Sequence, residues 1–312
     1  MATDRAIWRT FAGYADRDAR FEVYINGSLV YSGDAIVAPD EDEVTVRVND
    51  IVADYVSARV PSTFGSAVSM NIQAPTAEIY INDELAESAR LIPDWSHDPA
   101  HDIYAMADPI DGVADPRCDI PYSFVAVVGS TKSPNVSVKL ASGTVITPSF
   151  ASVSAGTVSI SPTNYEGAKS VTFDGLTTYR IESTCQRYAL YYINAYGGVD
   201  LYIPKGVCTQ TATYTRSEYL RSQSAKYLRA NYKTDTVNAW SLGTGFMTDE
   251  QSLKMHHLIG SNDVRLLDME TGETYPVIIT DSSLTYKTIR NSDRKFPTYT
   301  INLQSAETRE RR

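Results

Sequence analysis

The densest group of side chains that could hold a metal is His97-Asp98 followed by His101-Asp102. On a helix the two imidazoles, four residues apart, would share a face and could ligate zinc together. Pro99 interrupts that arrangement and no further ligand stands at a matching distance, so the expectation is no metal centre. The carboxylates Asp108, Asp111, Asp115 and Asp119 could supply the hard oxygen donors that calcium takes. They lack the order of an EF-hand loop, and Asp-Pro and Asp-Gly steps are ordinary turn formers. His256 and His257 are adjacent, and adjacent residues on a helix point about 100° apart. They cannot easily chelate one ion, and the spacing predicts one at a helix–sheet contact and the other in water.

Nucleophilic chemistry is no better served. There is no Gly-x-Ser-x-Gly elbow, and four histidines offer few general bases. Thr244, in Leu242-Gly-Thr-Gly, lacks the Gly-Lys-Ser/Thr ending of a phosphate loop. Any two of the 38 acidic residues could converge as a glycosidase pair, and no spacing singles two of them out. Trp95, Trp240 and several tyrosines could stack on sugar rings, or they could simply fill sheets. The reading is a protein with no catalytic, cofactor-binding or metal-ligating residues, whose work is done by a surface.

The elements that would build such a surface are strands. Tyrosine occurs 21 times against 8 Phe and 3 Trp, and it suits strands and partner-facing sheets alike. Phe21 to Gly33 alternates around Asn26-Gly27, a hairpin signature. Glu22-Val-Tyr-Ile-Asn-Gly-Ser-Leu is repeated as Glu78-Ile-Tyr-Ile-Asn-Asp-Glu-Leu, which predicts two similar hairpins, placed as opposite halves of one sandwich. Asn49 or Asp50 could cap a short helix with Ile51, Val52, Tyr55 and Val56 along one stripe. From 97 to 122 closely spaced Asp, Pro and Gly read as a long connection. Four short strands follow between 123 and 173. Tyr188 to Pro204 reads as a tyrosine-dense hairpin about Gly197-Gly198, apolar on both faces and therefore covered on both. Thr248-Asp-Glu-Gln251 is a capping box opening a helix at about 249 to 260, with Met255, Leu258 and Ile259 on its apolar face and Gly260 as a left-handed stop.

The expected fold is mainly β: two or three antiparallel sandwich-like units and one short helix packed in the C-terminal unit. The expected division is 1–96 as an N-terminal domain, 97–122 as a connecting segment, 123–175 as a middle unit and 176–312 as a C-terminal domain. A net charge of −10 argues against nucleic acid or an anionic membrane as partner. The opening residues do not read as a signal peptide, and no run approaches the roughly 18 apolar residues of a membrane span. The expectation is a chain made and kept soluble in a cytosol. Cys118, Cys185 and Cys208 are too few and too odd in number for a disulfide framework, and buried free thiols are expected, although Cys185 and Cys208 flank the tyrosine hairpin and could face each other.

Two stretches carry a family resemblance. Tyr24-Ile-Asn-Gly-Ser-Leu-Val-Tyr-Ser-Gly-Asp-Ala, with Val46-Arg-Val-Asn-Asp-Ile-Val-Ala-Asp-Tyr, resembles the opening of tail-associated virion proteins in phages of gut Bacteroides-type bacteria, the crAss-like phages included. Tyr191-Tyr-Ile-Asn-Ala-Tyr-Gly-Gly-Val-Asp, Trp240-Ser-Leu-Gly-Thr-Gly-Phe-Met-Thr-Asp-Glu-Gln-Ser and Pro276-Val-Ile-Ile-Thr-Asp-Ser are similar to their C-terminal part. The resemblance implies a structural virion protein of the tail, baseplate or neck, assembled in the bacterial cytoplasm as a homo-oligomeric ring or adaptor beside other virion proteins. It brings no enzymatic residues with it. The alternative reading is a carbohydrate-binding host-adhesion module facing a surface glycan.

Overall fold

A computed structural model describes residues 3–5, 8–12, 18–36, 43–48, 51–52, 55, 59–64, 75–92, 97–98, 103–108, 110–126, 131–220, 229–281, 298–307 and 309–311. The fold is mainly β, in several antiparallel sheets, with one short helix near the C-terminus.

The first sheet runs Thr3–Arg5, Glu84–Ile92, Thr76–Ile81, Asp18–Ile25, Ser28–Ile36. Its centre is the pair of repeated hairpins. Both turn through left-handed backbone, at Asn26 (φ 50°) and Gly27 (φ 81°), and at Asn82 (φ 51°) and Asp83 (φ 67°), as two-residue hairpin loops require. The hairpins are neighbours in one sheet rather than halves of a sandwich: Val23 pairs with Ile79 and Tyr24 with Glu78. Each turn asparagine closes on the other hairpin. Asn26 Oδ1 accepts from Thr76 N at 3.0 Å, and Asn82 Oδ1 accepts from Arg20 N at 2.9 Å. The repeat is thus a local two-fold, and turn chemistry alone could not tell it from two facing sheets. Ile51 and Val52 are helical, with Val52 buried and Tyr55 exposed. Residues 49–50, 53–54 and 56, where the rest of that expected helix falls, lie outside the described residues.

The middle region is two sheets laid face to face. One runs Gly112–Ala114, Thr177–Ile181, Ala168–Phe173, Val136–Leu140, Val145–Ile146, and the other Ala155–Ile160, Ile120–Ala126, Ile103–Ala105, His97–Asp98. Tyr122 of the second stacks on Phe173 of the first at 4.8 Å between ring centroids. The stretch 97–122 is therefore more than a connection. Among its described residues Asp108, Asp111, Asp115 and Pro116 sit between strands too short for alternation to show. Ile120–Ala126 is buried at every position, as a strand covered on both faces must be.

The C-terminal sheet has eight strands, in the order Val199–Tyr202, Tyr188–Ile193, Val264–Asp268, Thr274–Ile279, Thr300–Ser305, Arg229–Gly243, Cys208–Leu220, with Arg309–Arg311 added beside Arg229–Gly243. Tyr188–Ile193 separates two cores. Ala189 and Tyr191 join the core shared with the first and middle sheets, while Tyr188, Leu190 and Tyr192 join a second core with Trp240, Leu242, Met255 and Leu258. The helix Asp249–Ile259 opens on the expected capping box, with Gln251 N donating to Thr248 Oγ1 and Thr248 N donating to Gln251 Oε1. It ends differently from expectation. Gly260 is right-handed (φ −80°), and its N–H donates to the His256 and Leu258 carbonyls, so no left-handed stop is used.

The turn after Tyr188–Ile193 places its two glycines in different roles. Gly197 takes the positive φ of 78°. Gly198 does not; it is glycine because a Cβ there would collide with the Met106 carbonyl and side chain. Gly198→Val is expected to abolish the cooperative thermal transition of the C-terminal region, since the obstacle is backbone and cannot step aside. A wild-type melting curve for that variant would contradict this packing.

Candidate functional site

Alternation along the C-terminal strands puts one set of side chains on the inner face of a strongly curved sheet. Tyr188 lies beside Asp268, Leu190 beside Leu266 and Tyr192 beside Val264, while Trp240 lies between Leu303 and Gln210. The curvature brings distant strands together. Tyr188 Oη donates to Gln210 Oε1 at 3.0 Å, although four strands separate theirs in the sheet order. The sheet is close to a closed barrel. The helix fills one end of its interior, where Met255 and Leu258 meet Leu190, Tyr192, Leu242 and Ile301.

The other end stays open as a cleft of about 350 Å³. Its wall is aromatic and its rim polar. Tyr188, Trp240 and Tyr275 contribute rings, with Trp240 and Tyr275 roughly parallel at 6.3 Å between centroids. Gln210, Thr236, Asn238 and Ser305 contribute neutral polar groups, and Arg187, Asp268, Glu273 and Glu307 the charges. Arg187 is held by Asp268 through Nε at 3.0 Å and Nη2 at 2.7 Å, and its guanidinium lies over the Tyr188 ring. Burial pushes the Asp268 carboxyl up, but the Arg187 hydrogen bonds and the Glu270 N–H outweigh it and hold the group below its ordinary range. Trp240 is 5% exposed, and its Nε1 has no hydrogen-bond partner.

A second cluster lies under the helix. Lys254, 5% exposed, sets its Nζ 3.7 Å from Asp200 Oδ2 and over the Tyr179 ring. Tyr179 Oη donates to Asp200 in a short bond, and burial followed by the Asp200 charge raises the phenol well above its ordinary pKa. His257 Nδ1 meets Asp108 Oδ2 at 2.9 Å, and Tyr196 stands edge-on to the imidazole. Burial raises the Asp108 carboxyl, while His257, Lys254 and the Ile110 N–H together bring it below normal. An imidazole–carboxylate pair could support a nucleophile, yet its described neighbours supply none: Lys254 is engaged with Asp200, and Tyr179 is a neutral donor. These paired charges tie the helix to the strands beneath it.

The groups singled out in the sequence are dispersed. Asp108, Asp111 and Asp115 each serve a separate partner: His257, the Thr178 N–H, and Arg117 with Thr184. Asp119 offers its backbone carbonyl to Tyr191 Oη at 2.9 Å. No group of three or more His, Cys, Asp or Glu that could hold a metal occurs among the described residues. His256 is exposed and His257 faces Asp108. Thr244 Oγ1 donates to the Gly245 carbonyl and accepts from Tyr299 N. His101, Asp102 and Trp95 lie outside the described residues, and the side chains of His97 and Asp98 do too. The three cysteines are free, but only Cys118 is buried, its thiol pushed up to about 12 by that burial; Cys185 is exposed, against the expectation of buried thiols. Trp240 is the one sequence candidate that the cleft recruits. No family model and no curated protein matches the chain.

One further surface belongs to the same sheet. Cys208–Leu220 pairs along its whole length with Arg229–Gly243 and forms the sheet edge among the described strands. Thr209 to Arg216 are exposed at every position, hence on both faces. From Ser217 to Leu220 and from Arg229 to Lys233 the two strands pair only with each other among the described residues. The result is a ribbon running out beyond the sheet.

Proposed function

We propose that this chain is a non-enzymatic structural protein of a phage virion, an oligomeric ring or adaptor component of the tail, baseplate or neck, assembled in the bacterial host cytoplasm. The observation that carries the reading is the ribbon Cys208–Leu220 with Arg229–Gly243. A two-stranded ribbon alone is marginal in water, and an open edge is a template for another strand. The outer strand shows Thr209, Thr211, Thr213 and Thr215 on one face, and Gln210, Ala212, Tyr214 and Arg216 on the other. Few charges interrupt it, so the usual protection against edge pairing is thin.

In this reading the occupant of the edge is a second copy of the chain, since rings are built from repeated contacts between identical subunits. Other virion proteins would meet the same assembly. The family resemblance at both ends of the sequence supports the setting, and the net charge of −10 fits a protein–protein role more than a nucleic-acid one. Mass spectrometry of purified virions is expected to find the chain at stoichiometric abundance, in integer ratio to the other tail components. Its absence from washed particles would end the proposal.

A further inference from the structure

We propose that the open end of the C-terminal barrel is a binding site for a neutral saccharide. The site belongs to a single chain and does not depend on the assembly reading. Three observations carry it. First, the cleft, at about 350 Å³, is within the range of small-ligand sites and is built from a rigid sheet. Second, its wall combines ring faces with short polar side chains at fixed register. Tyr275, half-buried, offers its ring as a platform for the C–H face of a pyranose, with the buried Trp240 ring beside it at 6.3 Å between centroids and 28° between planes. Asn238 lies on the strand of Trp240, Gln210 on the next strand out, and Ser305 on the strand between those of Trp240 and Tyr275, where they can receive and donate hydrogen bonds to hydroxyls. Third, the charge of the rim selects among sugars. Arg187 is committed to Asp268, which leaves Glu273 and Glu307 uncompensated by a cation of the cleft. Carboxylates accept from hydroxyl pairs, and they repel uronic, sialic and phosphorylated sugars.

The barrel explains why the polar groups survive here. Where the helix covers the inner face, the alternate positions are Leu190, Leu266, Leu242 and Ile301. One or two steps further along the same strands, beyond the helix, they become Tyr188, Asp268, Asn238 and Ser305. The change from apolar to polar follows the edge of the helix, and a polar-aromatic cleft at a barrel mouth is a common site for one small ligand.

The test is isothermal calorimetry with glucose, galactose, mannose, N-acetylglucosamine and their linear tetrasaccharides, with glucuronic acid and choline as charged controls. At least one neutral sugar is expected to bind saturably, in the millimolar range as a monosaccharide and tighter as a tetrasaccharide. Asn238→Ala and Gln210→Ala, both at solvent-accessible positions, should each weaken binding about tenfold, the loss of one hydrogen-bonding group; the melting temperature of Asn238→Ala should be unchanged, while that of Gln210→Ala should fall because Tyr188 Oη loses its acceptor. Tyr275→Leu removes the accessible ring and should weaken binding further. Failure of every neutral sugar at tens of millimolar, binding that all three variants leave intact, or binding of glucuronate or choline alone would each overturn the proposal. Because the titration reads a site within one chain, a negative result leaves the virion assignment standing, and a chain absent from virions leaves this site standing.

Discussion

Replacing Tyr192 with alanine is expected to cost about 3–5 kcal/mol, the range for truncating a buried aromatic ring, and to unfold the C-terminal region at physiological temperature. Tyr192 is fully buried. Its ring belongs to the core that joins the helix to the inner face of the sheet, beside Met255, Leu258 and Leu190. A loss of that size is a large share of the 5–15 kcal/mol that holds a domain folded. Urea unfolding followed by circular dichroism is the measurement. Tyr192→Phe should stay close to wild type, because the ring remains and only the hydroxyl facing Asp200 is lost. Tyr299→Ala should cost less than Tyr192→Ala, since Tyr299 is half-buried at the margin of the same core. A wild-type midpoint for Tyr192→Ala would show that the strand is peripheral.

The second large effect is expected at Asp115. Its carboxylate, 1% exposed, accepts from Arg117 N, Nε and Nη2 and from Thr184 N and Oγ1, at 2.7 to 3.0 Å. Arg117 Nη2 continues to the carbonyls of Thr184 and Gln186, so the clip fixes the approach to Tyr188–Ile193 against the middle region. Asp115→Ala leaves those donors without their acceptor and is expected to cost about 3 kcal/mol. The same group shapes the response to acid. Burial raises its pKa, but the hydrogen bonds from Arg117 and Thr184 win and hold it far below the ordinary carboxyl value; Asp108 and Asp268 are lowered as well. A carboxyl lowered in the folded state stabilises fully above its unfolded value of about 3.9, and that stability is lost as pH falls through the folded value. The melting temperature should therefore hold from neutral pH down to about 5 and fall steeply below about 4. Asp115→Asn should start lower at neutral pH and lose less on acidification. An acid limb as steep as wild type would assign the effect elsewhere.

Local structure was legible in the sequence wherever a short-range rule fixed it. Asn26-Gly27 and Asn82-Asp83 announced hairpins because few residues accept positive φ. Thr248 and Gln251 announced a helix start because their side chains satisfy orphan N–H groups. The two apolar faces of Tyr188–Ile193 announced a strand between two cores. What escaped depended on partners far apart in the chain. Whether two equal hairpins share a sheet or oppose each other is decided by strand pairing. Strands of two or three residues, such as His97–Asp98 and Gly112–Ala114, are shorter than one period of alternation can reveal. The cleft is drawn from six strands spread between Tyr188 and Ser305, of which only Trp240 stood out as a sugar-stacking candidate. The ribbon did leave a signal, the alternate threonines Thr209, Thr211, Thr213 and Thr215, whose branched side chains favour extended backbone. A polar strand is easily taken for a loop when apolar alternation is the guide.

The proposed assembly role rests on the open edge of that ribbon, so the most direct test is molar mass in solution. Size-exclusion chromatography with light scattering should give an integer multiple of the 34.4 kDa chain mass for the wild type. Lysines at Thr211 and Thr213 place charge on the exposed edge, the device by which edge strands are kept apart; this double variant should run at a lower multiple, with its circular dichroism and melting temperature unchanged. A wild-type chain that is monomeric at every concentration, or an oligomer that the two lysines leave intact, would contradict assembly through this edge.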